Sequence, residues 1–109
     1  MFVERRSTKR SRCDLPSSFR DFDSVTSWSS SFASIKDISR GGLRLRTHSF
    51  VLLSDRLGIS FKLPNDEKTI EARVSPAWIF EIPNTQIYEV GVRFTELSDE
   101  AKFGIENYC

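Results

Sequence analysis

Four segments of the sequence alternate apolar and polar residues with a period of two, and no other feature limits the fold as much. In Arg56 to Leu63 the apolar positions are Leu57, Ile59, Phe61 and Leu63, while Arg56, Ser60 and Lys62 point the other way. In the next segment Ile70, Ala72 and Val74 oppose Glu71, Arg73 and Ser75, with Pro76 expected to break or bulge the strand. Tyr88, Val90, Val92 and Phe94 oppose Ile87, Glu89, Gly91 and Arg93, and Leu43 and Leu45 alternate with Arg44 and Arg46. Pro64-Asn65-Asp66, Pro83-Asn84 and Gly41-Gly42 supply turn chemistry between these segments. Short strands separated by turns, with no helix among them, predict an all-β fold: an antiparallel meander curled into a barrel.

Only the last dozen residues read as helical. Ser98 is an N-cap, Asp99 and Glu100 occupy the first turn, and Ala101, Phe103 and Ile105 follow as the apolar positions. The stretch from Ser17 to Ser34 holds eight Ser among 18 residues, and its apolar markers are Phe19, Phe22, Val25, Trp28 and Phe32. It reads as two strands, around 15 to 22 and 30 to 38, joined by a polar turn near Asp23 to Ser27.

A chain of 109 residues has room for one domain. No segment approaches the ~20 apolar residues of a membrane span, and the opening MFVERRSTKRSR is not a signal peptide, so the expected compartment is cytoplasmic. Cys13 and Cys109 have no CxxC or His companion and read as reduced bystanders rather than a disulfide or metal site. His48 reads as a surface-loop residue. There is no GxSxG, HExxH or phosphate-binding loop, so the chain is expected not to be an enzyme.

The net charge of +1 is unevenly distributed: residues 1 to 20 carry +4 and residues 21 to 109 carry −3. Arg5, Arg6, Lys9, Arg10 and Arg12 make a basic arm suited to an anion, because guanidinium donors fit phosphate and the guanine edge. Two patterns stand out, an RxxxR from Arg6 to Arg10 and a DxSxxG from Asp37 to Gly42. If residues 15 to 22 and 30 to 38 pair antiparallel, the basic arm lies over Asp37 and Ser39. Two residues apart on a strand, Asp37 and Ser39 share a face, and Gly41-Gly42 lets the backbone turn and approach a ligand. A carboxylate for N–H donors, a hydroxyl and two arginines together suit a guanine nucleotide.

With ERRSTKR (Glu4 to Arg10), DISRGGLRL (Asp37 to Leu45), Trp78 and EVGVRFTEL (Glu89 to Leu97) in this order, the chain resembles the PilZ domain, the bacterial receptor module for cyclic di-GMP. The resemblance implies a six-stranded antiparallel β-barrel, here over 14–97, with an N-terminal basic arm over 1–13 that wraps the ligand. Self-repulsion among the arm's cations predicts that it is mobile until the ligand arrives, and the residue pattern adds the short C-terminal helix over 98–109. By the same resemblance, Arg6 and Arg10 clasp phosphates and guanines, Asp37 and Ser39 meet a guanine edge, and Gly42 leaves room for it. Arg5, directly before the RxxxR, goes in this family with an intercalated pair of ligands. No cofactor is implied. The resemblance further implies a protein partner in motility, attachment or exopolysaccharide machinery, with the domain a monomer or a ligand-linked dimer.

The rival class is a small barrel that binds single-stranded nucleic acid, but the net-acidic body argues against it. Trp78, Phe61, Tyr88 and Phe94 read as core. Arg44, Arg46, Arg73 and Arg93 read first as solvated strand arginines and second as cations that surround the ligand from the barrel surface. Ile79, Phe80 and Ile82 read as an outward patch that is either a docking surface or a strand end, and Asp21 and Asp23 as carboxylates near the ligand.

Overall fold

The alternating residues line a closed barrel. In the computed structural model, which describes residues 10–21, 31–64 and 66–108, six strands precede one helix. They are β1 (Ser11–Asp21), β2 (Ser31–Ser39), β3 (Gly42–Thr47), β4 (Leu57–Lys62), β5 (Thr69–Ile82), β6 (Ile87–Glu96) and α1 (Asp99–Tyr108). All neighbours are antiparallel and run β1-β2-β3-β6-β5-β4, with β4 closing on β1. This is not the simple meander that the turn spacing predicts. β3 adjoins β6 instead of β4, and the link from 48 to 56 is long enough to carry the chain across while burying Val51 in the core.

The interior is filled by the residues that the alternation selects: Leu43, Leu45, Leu57, Ile59, Phe61, Val74, Val90 and Val92 are all buried. Where three residues sit on one strand against two on its neighbour, the alternation fails. Ile35 and Ile38 are both 0% exposed although three apart, which is reconciled by an extra residue in β2: Ile35 pairs with Leu45, but Asp37 pairs with Arg44. A matching irregularity in β1 lies between Arg12, opposite Asp37, and Leu15, opposite Ile35. β1 starts at Ser11, so residues 11–13, expected in the arm, belong to the barrel.

β5 carries a third irregularity. Pro76 pairs with Val92 and Trp78 with Gly91, so Ala77 is the extra residue, and Pro76, lacking an N–H, sits where the ladder slips. The strand bulges there without breaking and continues to Ile82. The bulge reverses the faces beyond it. Trp78, expected in the core with Ile70 and Val74, turns outward and is 44% exposed, while Ile79, expected outside, packs against the core. Phe61 is buried as expected, Tyr88 and Phe94 are partly buried, and Phe80 is exposed.

Three hairpins form at the expected joints. The β5–β6 turn uses positive φ at Asn84 (65°) and Gln86 (59°). In the β2–β3 turn neither glycine has a positive φ, and Ser39 Oγ instead accepts from Gly41 N–H at 3.2 Å and donates to the Gly42 carbonyl at 3.4 Å. Ser98 caps α1 through the Ala101 N–H at 3.1 Å. Ala101 and Ile105, one turn apart, are buried, whereas Phe103 lies off that face and is exposed. Arg40, at the β2–β3 turn, reaches Glu106 of α1 at 3.2 Å.

Gly42 answers a packing constraint between strands. A Cβ there would lie 2.1 Å from the Val92 carbonyl oxygen, whereas at Gly41 it would meet nothing nearer than Ser39 Oγ at 3.9 Å. We expect Gly42→Ala to cost about 2–3 kcal/mol by forcing β3 from β6, a fall in Tm on the order of 10–20 °C, and Gly41→Ala to change Tm by less than about 4 °C. Thermal unfolding of both variants checks this.

Candidate functional site

Three bulges converge on one outer face. Because the β2 bulge returns Ile38 to the core, Asp37 is left outside with Arg44, which points outward between the buried Leu43 and Leu45. Across the strands the register then runs Arg12, Asp37, Arg44, Gly91, Trp78, from β1 through β2, β3 and β6 to β5. At ~4.8 Å per strand, Asp37 and Trp78 lie roughly 14 Å apart. Gly91 keeps the middle of this face low: a Cβ there would fall 2.2 Å from the Trp78 indole Nε1.

Asp37 is the electrostatic centre of this face. Its side chain is only 9% exposed, and each carboxylate oxygen has a guanidinium. Arg10 donates to Oδ1, and Arg44 Nε donates to Oδ2 at 2.7 Å. Arg44 Nη1 also donates to Glu89 Oε2 at 2.9 Å, and Arg46 Nε reaches the same oxygen at 2.7 Å. Three arginines therefore share two carboxylates on a chain of charge-assisted bonds spanning the N-terminal stretch, β2, β3 and β6. The hydrogen bond to Asp37, foremost, and the charges of Asp37 and Glu89 raise the Arg44 pKa above its ordinary value. A raised pKa on a cation contributes stability that is present below the unfolded value and lost only as pH climbs past the folded one, so this charge is constant at any working pH.

The expected site residues divide into three groups. Arg10 and Asp37 meet directly, as the antiparallel pairing predicts. Ser39 is 2% exposed with its hydroxyl engaged in the turn, and Gly42 is buried with the space beside it filled by the Val92 carbonyl. Arg5 and Arg6 lie outside the described residues, as does Asp23. Asp21, expected near the ligand, pairs with Leu57 at the far end of β1, nine residues from Arg12, or roughly 25–30 Å at ~3.3 Å per residue. Its carboxylate is too distant to repel a phosphate at Asp37.

Arg44 and Arg46 are ion-paired parts of the site, whereas Arg73 pairs with Glu96 beside a separate cleft of about 360 Å³ lined by Arg56, Ser75 and Thr95. Arg93 lies opposite Gly42 in the register, next to the row that holds Asp37. Glu89 and Trp78 are the additions that the alternation alone does not select. Among the described residues no three His, Cys, Asp or Glu side chains gather as a metal site, and no helix is long and apolar enough to cross a membrane.

The PilZ domain pattern matches residues 4–109. This chain belongs to the PilZ family. Solved structures agree on the fold. The Bacillus subtilis inhibitor of motility MotI/DgrA superposes with a TM-score of 0.80 at 18% identity, over 98% of this chain and 50% of that one. The PilZ domain of Escherichia coli YcgR, solved with c-di-GMP, gives 0.64 at 13% identity, over 94% of this chain and 87% of that one. The K. pneumonia MrkH-c-di-GMP complex gives 0.66 at 22% identity, over 96% and 50%. This PilZ domain thus spans about half the length of MotI and of MrkH. No curated protein matches it by sequence.

If the Asp37 cluster is one electrostatic unit, its members are coupled. We expect Arg44→Met to cost about 1.5–3 kcal/mol by taking from Asp37 and Glu89 one of the two guanidinium partners each has, and Arg44→Met with Asp37→Asn to cost at least about 1 kcal/mol less than the sum of the single changes. Urea unfolding of the four proteins gives the coupling, and additivity within about 0.5 kcal/mol contradicts it.

Proposed function

We propose that this PilZ domain is a receptor for cyclic di-GMP whose ligand lies on the Asp37 face. The observation that carries this reading is a buried carboxylate on an outer barrel face, bracketed by Arg10 of the RxxxR and by Arg44, within the DxSxxG segment. A guanine offers adjacent N–H donors to such a carboxylate, and a phosphodiester offers oxygens to guanidinium forks. Arg6 and Arg10 take phosphates and the guanine O6/N7 edge, Asp37 takes the N–H edge, and Ser39 and Gly42 shape the turn beside it. The half-exposed Trp78 indole adds a stacking surface. Arg5 extends the basic set enough for two stacked ligands with up to four phosphate charges.

Relay follows from the same contacts. Arg5, Arg6, Lys9, Arg10 and Arg12 repel one another, and a ligand that neutralises them gathers residues 4 to 10, ahead of β1, onto the barrel and changes the surface offered to a cytoplasmic effector protein. The domain binds and signals without catalysing a reaction. MotI, named an inhibitor of motility, supports motility machinery as one class of effector, beside attachment and exopolysaccharide systems.

Isothermal titration with cyclic di-GMP, beside GTP and cyclic AMP, tests the reading. We expect saturable binding near two ligands per chain, weakened by Arg10→Ala or Asp37→Ala on the order of tenfold to a few hundredfold. One ligand per chain keeps the receptor and rejects the pair assigned to Arg5. No heat with any nucleotide contradicts the receptor and leaves an adaptor that works by protein contact alone. Hydrogen exchange checks the relay: protection over residues 4 to 10 rises with ligand, and equal protection in both states rejects it.

A further inference from the structure

Asp37 holds its two guanidinium partners unequally. Arg44 projects from β3 in the middle of the sheet, is 27% exposed, and is bound at a second point by Glu89. Arg10 precedes β1, is 54% exposed, and has no second carboxylate among the described residues. Glu89, 16% exposed on β6, makes the difference. Its Oε2 accepts from Arg44 Nη1 at 2.9 Å while Arg44 Nε stays on Asp37 Oδ2 at 2.7 Å, so one planar guanidinium spans two carboxylates. Arg46 Nε, on the same Glu89 oxygen at 2.7 Å, anchors that carboxylate from the other side.

We propose that Glu89 is a positioning residue for nucleobase recognition: by holding Arg44 on Asp37 Oδ2, it leaves Oδ1, where Arg10 sits, as the oxygen that a guanine edge takes over. This rests on the cyclic di-GMP reading and deepens it. Asp37 is never left unpaired during the exchange, because a guanine N–H replaces the guanidinium as it leaves. The released Arg10 becomes available, beside Arg12 opposite Asp37 in the register, to the phosphate of the same ligand. Seating the base therefore creates part of the phosphate site. Adenine, which presents a ring acceptor where guanine presents the ring N–H, keeps only its exocyclic amino group as a donor there and competes less well with Arg10 for the carboxylate.

Without Glu89 the Arg44 fork is free to turn two N–H groups onto Asp37 and occupy both oxygens, the bidentate geometry that guanidinium and carboxylate favour. Guanine then competes with a two-bond pair. The loss falls on the base and on the Arg10 contact that its seating releases, and it spares the phosphate contacts that do not depend on Arg10.

The test compares wild type, Glu89→Gln and Glu89→Asp by calorimetry with cyclic di-GMP and with pyrophosphate, the latter a probe of the anion contacts alone. Arginine Nε–Hε resonances are followed in parallel. Glu89→Gln is expected to weaken cyclic di-GMP by about tenfold or more, to change pyrophosphate by less than about twofold, and to shift the Arg44 Nε–Hε signal. Glu89→Asp, which keeps the charge, is expected to recover part of the affinity, and it carries the test alone if the Gln variant does not fold. Equal loss for both ligands, or no loss for cyclic di-GMP, overturns the positioning role while the wild-type titration still upholds the receptor. Wild type that binds no cyclic di-GMP overturns both.

Discussion

A carboxylate with 9% of its side chain exposed has to be met by positive charge, and the way this barrel does so at Asp37 organises most of what surrounds it. Two oxygens call for two donors. One comes from the adjacent strand, where Arg44 is held in turn by Glu89, and the other comes from the chain just before β1. Desolvation makes the pair costly to break on one side, and exposure of Arg10 makes it easier to exchange on the other. On the proposed reading, that asymmetry suits a site that is stable when empty and open to a ligand.

Three of the extra residues in the barrel strands, in β1, β2 and β5, have a consequence on this face; a fourth, Thr95 between Val74 and Arg73 in the β5–β6 register, lies by the Arg73–Glu96 cleft instead. The bulge in β2 separates Asp37 from the apolar alternation that would otherwise have carried it inward, and the irregularity in β1 keeps Arg12 opposite it. The bulge around Ala77 brings Trp78 to the same side, over a glycine small enough to accept the indole. Bulges re-aim side chains at little expense to the core, since the strands on either side stay paired. Gly42 and Ser39 contribute differently, holding β3 against β6 and closing the turn that keeps Asp37 next to Arg44.

The regular parts of this fold were legible in the residues. Leu57, Ile59, Phe61, Leu43, Leu45, Val90 and Val92 declare their burial by alternation, and the capped helix by Ser98. Antiparallel logic placed Arg10 beside Asp37 because that contact depends only on a hairpin between neighbouring strands. Trp78 was misread because periodicity cannot see a single inserted residue, although Pro76 marked where the ladder would slip. The contact between Arg44 and Glu89 is hidden from the sequence for another reason. The two side chains meet only because β3 lies beside β6, with Arg46 opposite Glu89 and Arg44 one row along opposite Gly91, a pairing that follows from closure of the barrel and from no local pattern. The β3–β4 crossover is hidden by the same long-range constraint.

The most direct test of the account is where cyclic di-GMP perturbs the domain, mapped by backbone, arginine side-chain and indole resonances during titration. The account predicts shifts concentrated at Arg10 to Arg12, Asp37 to Arg46, Glu89 and the Trp78 indole, with the cleft around Arg56, Arg73 and Glu96 unaffected. Shifts gathered at that cleft, with the Asp37 network unmoved, would contradict it.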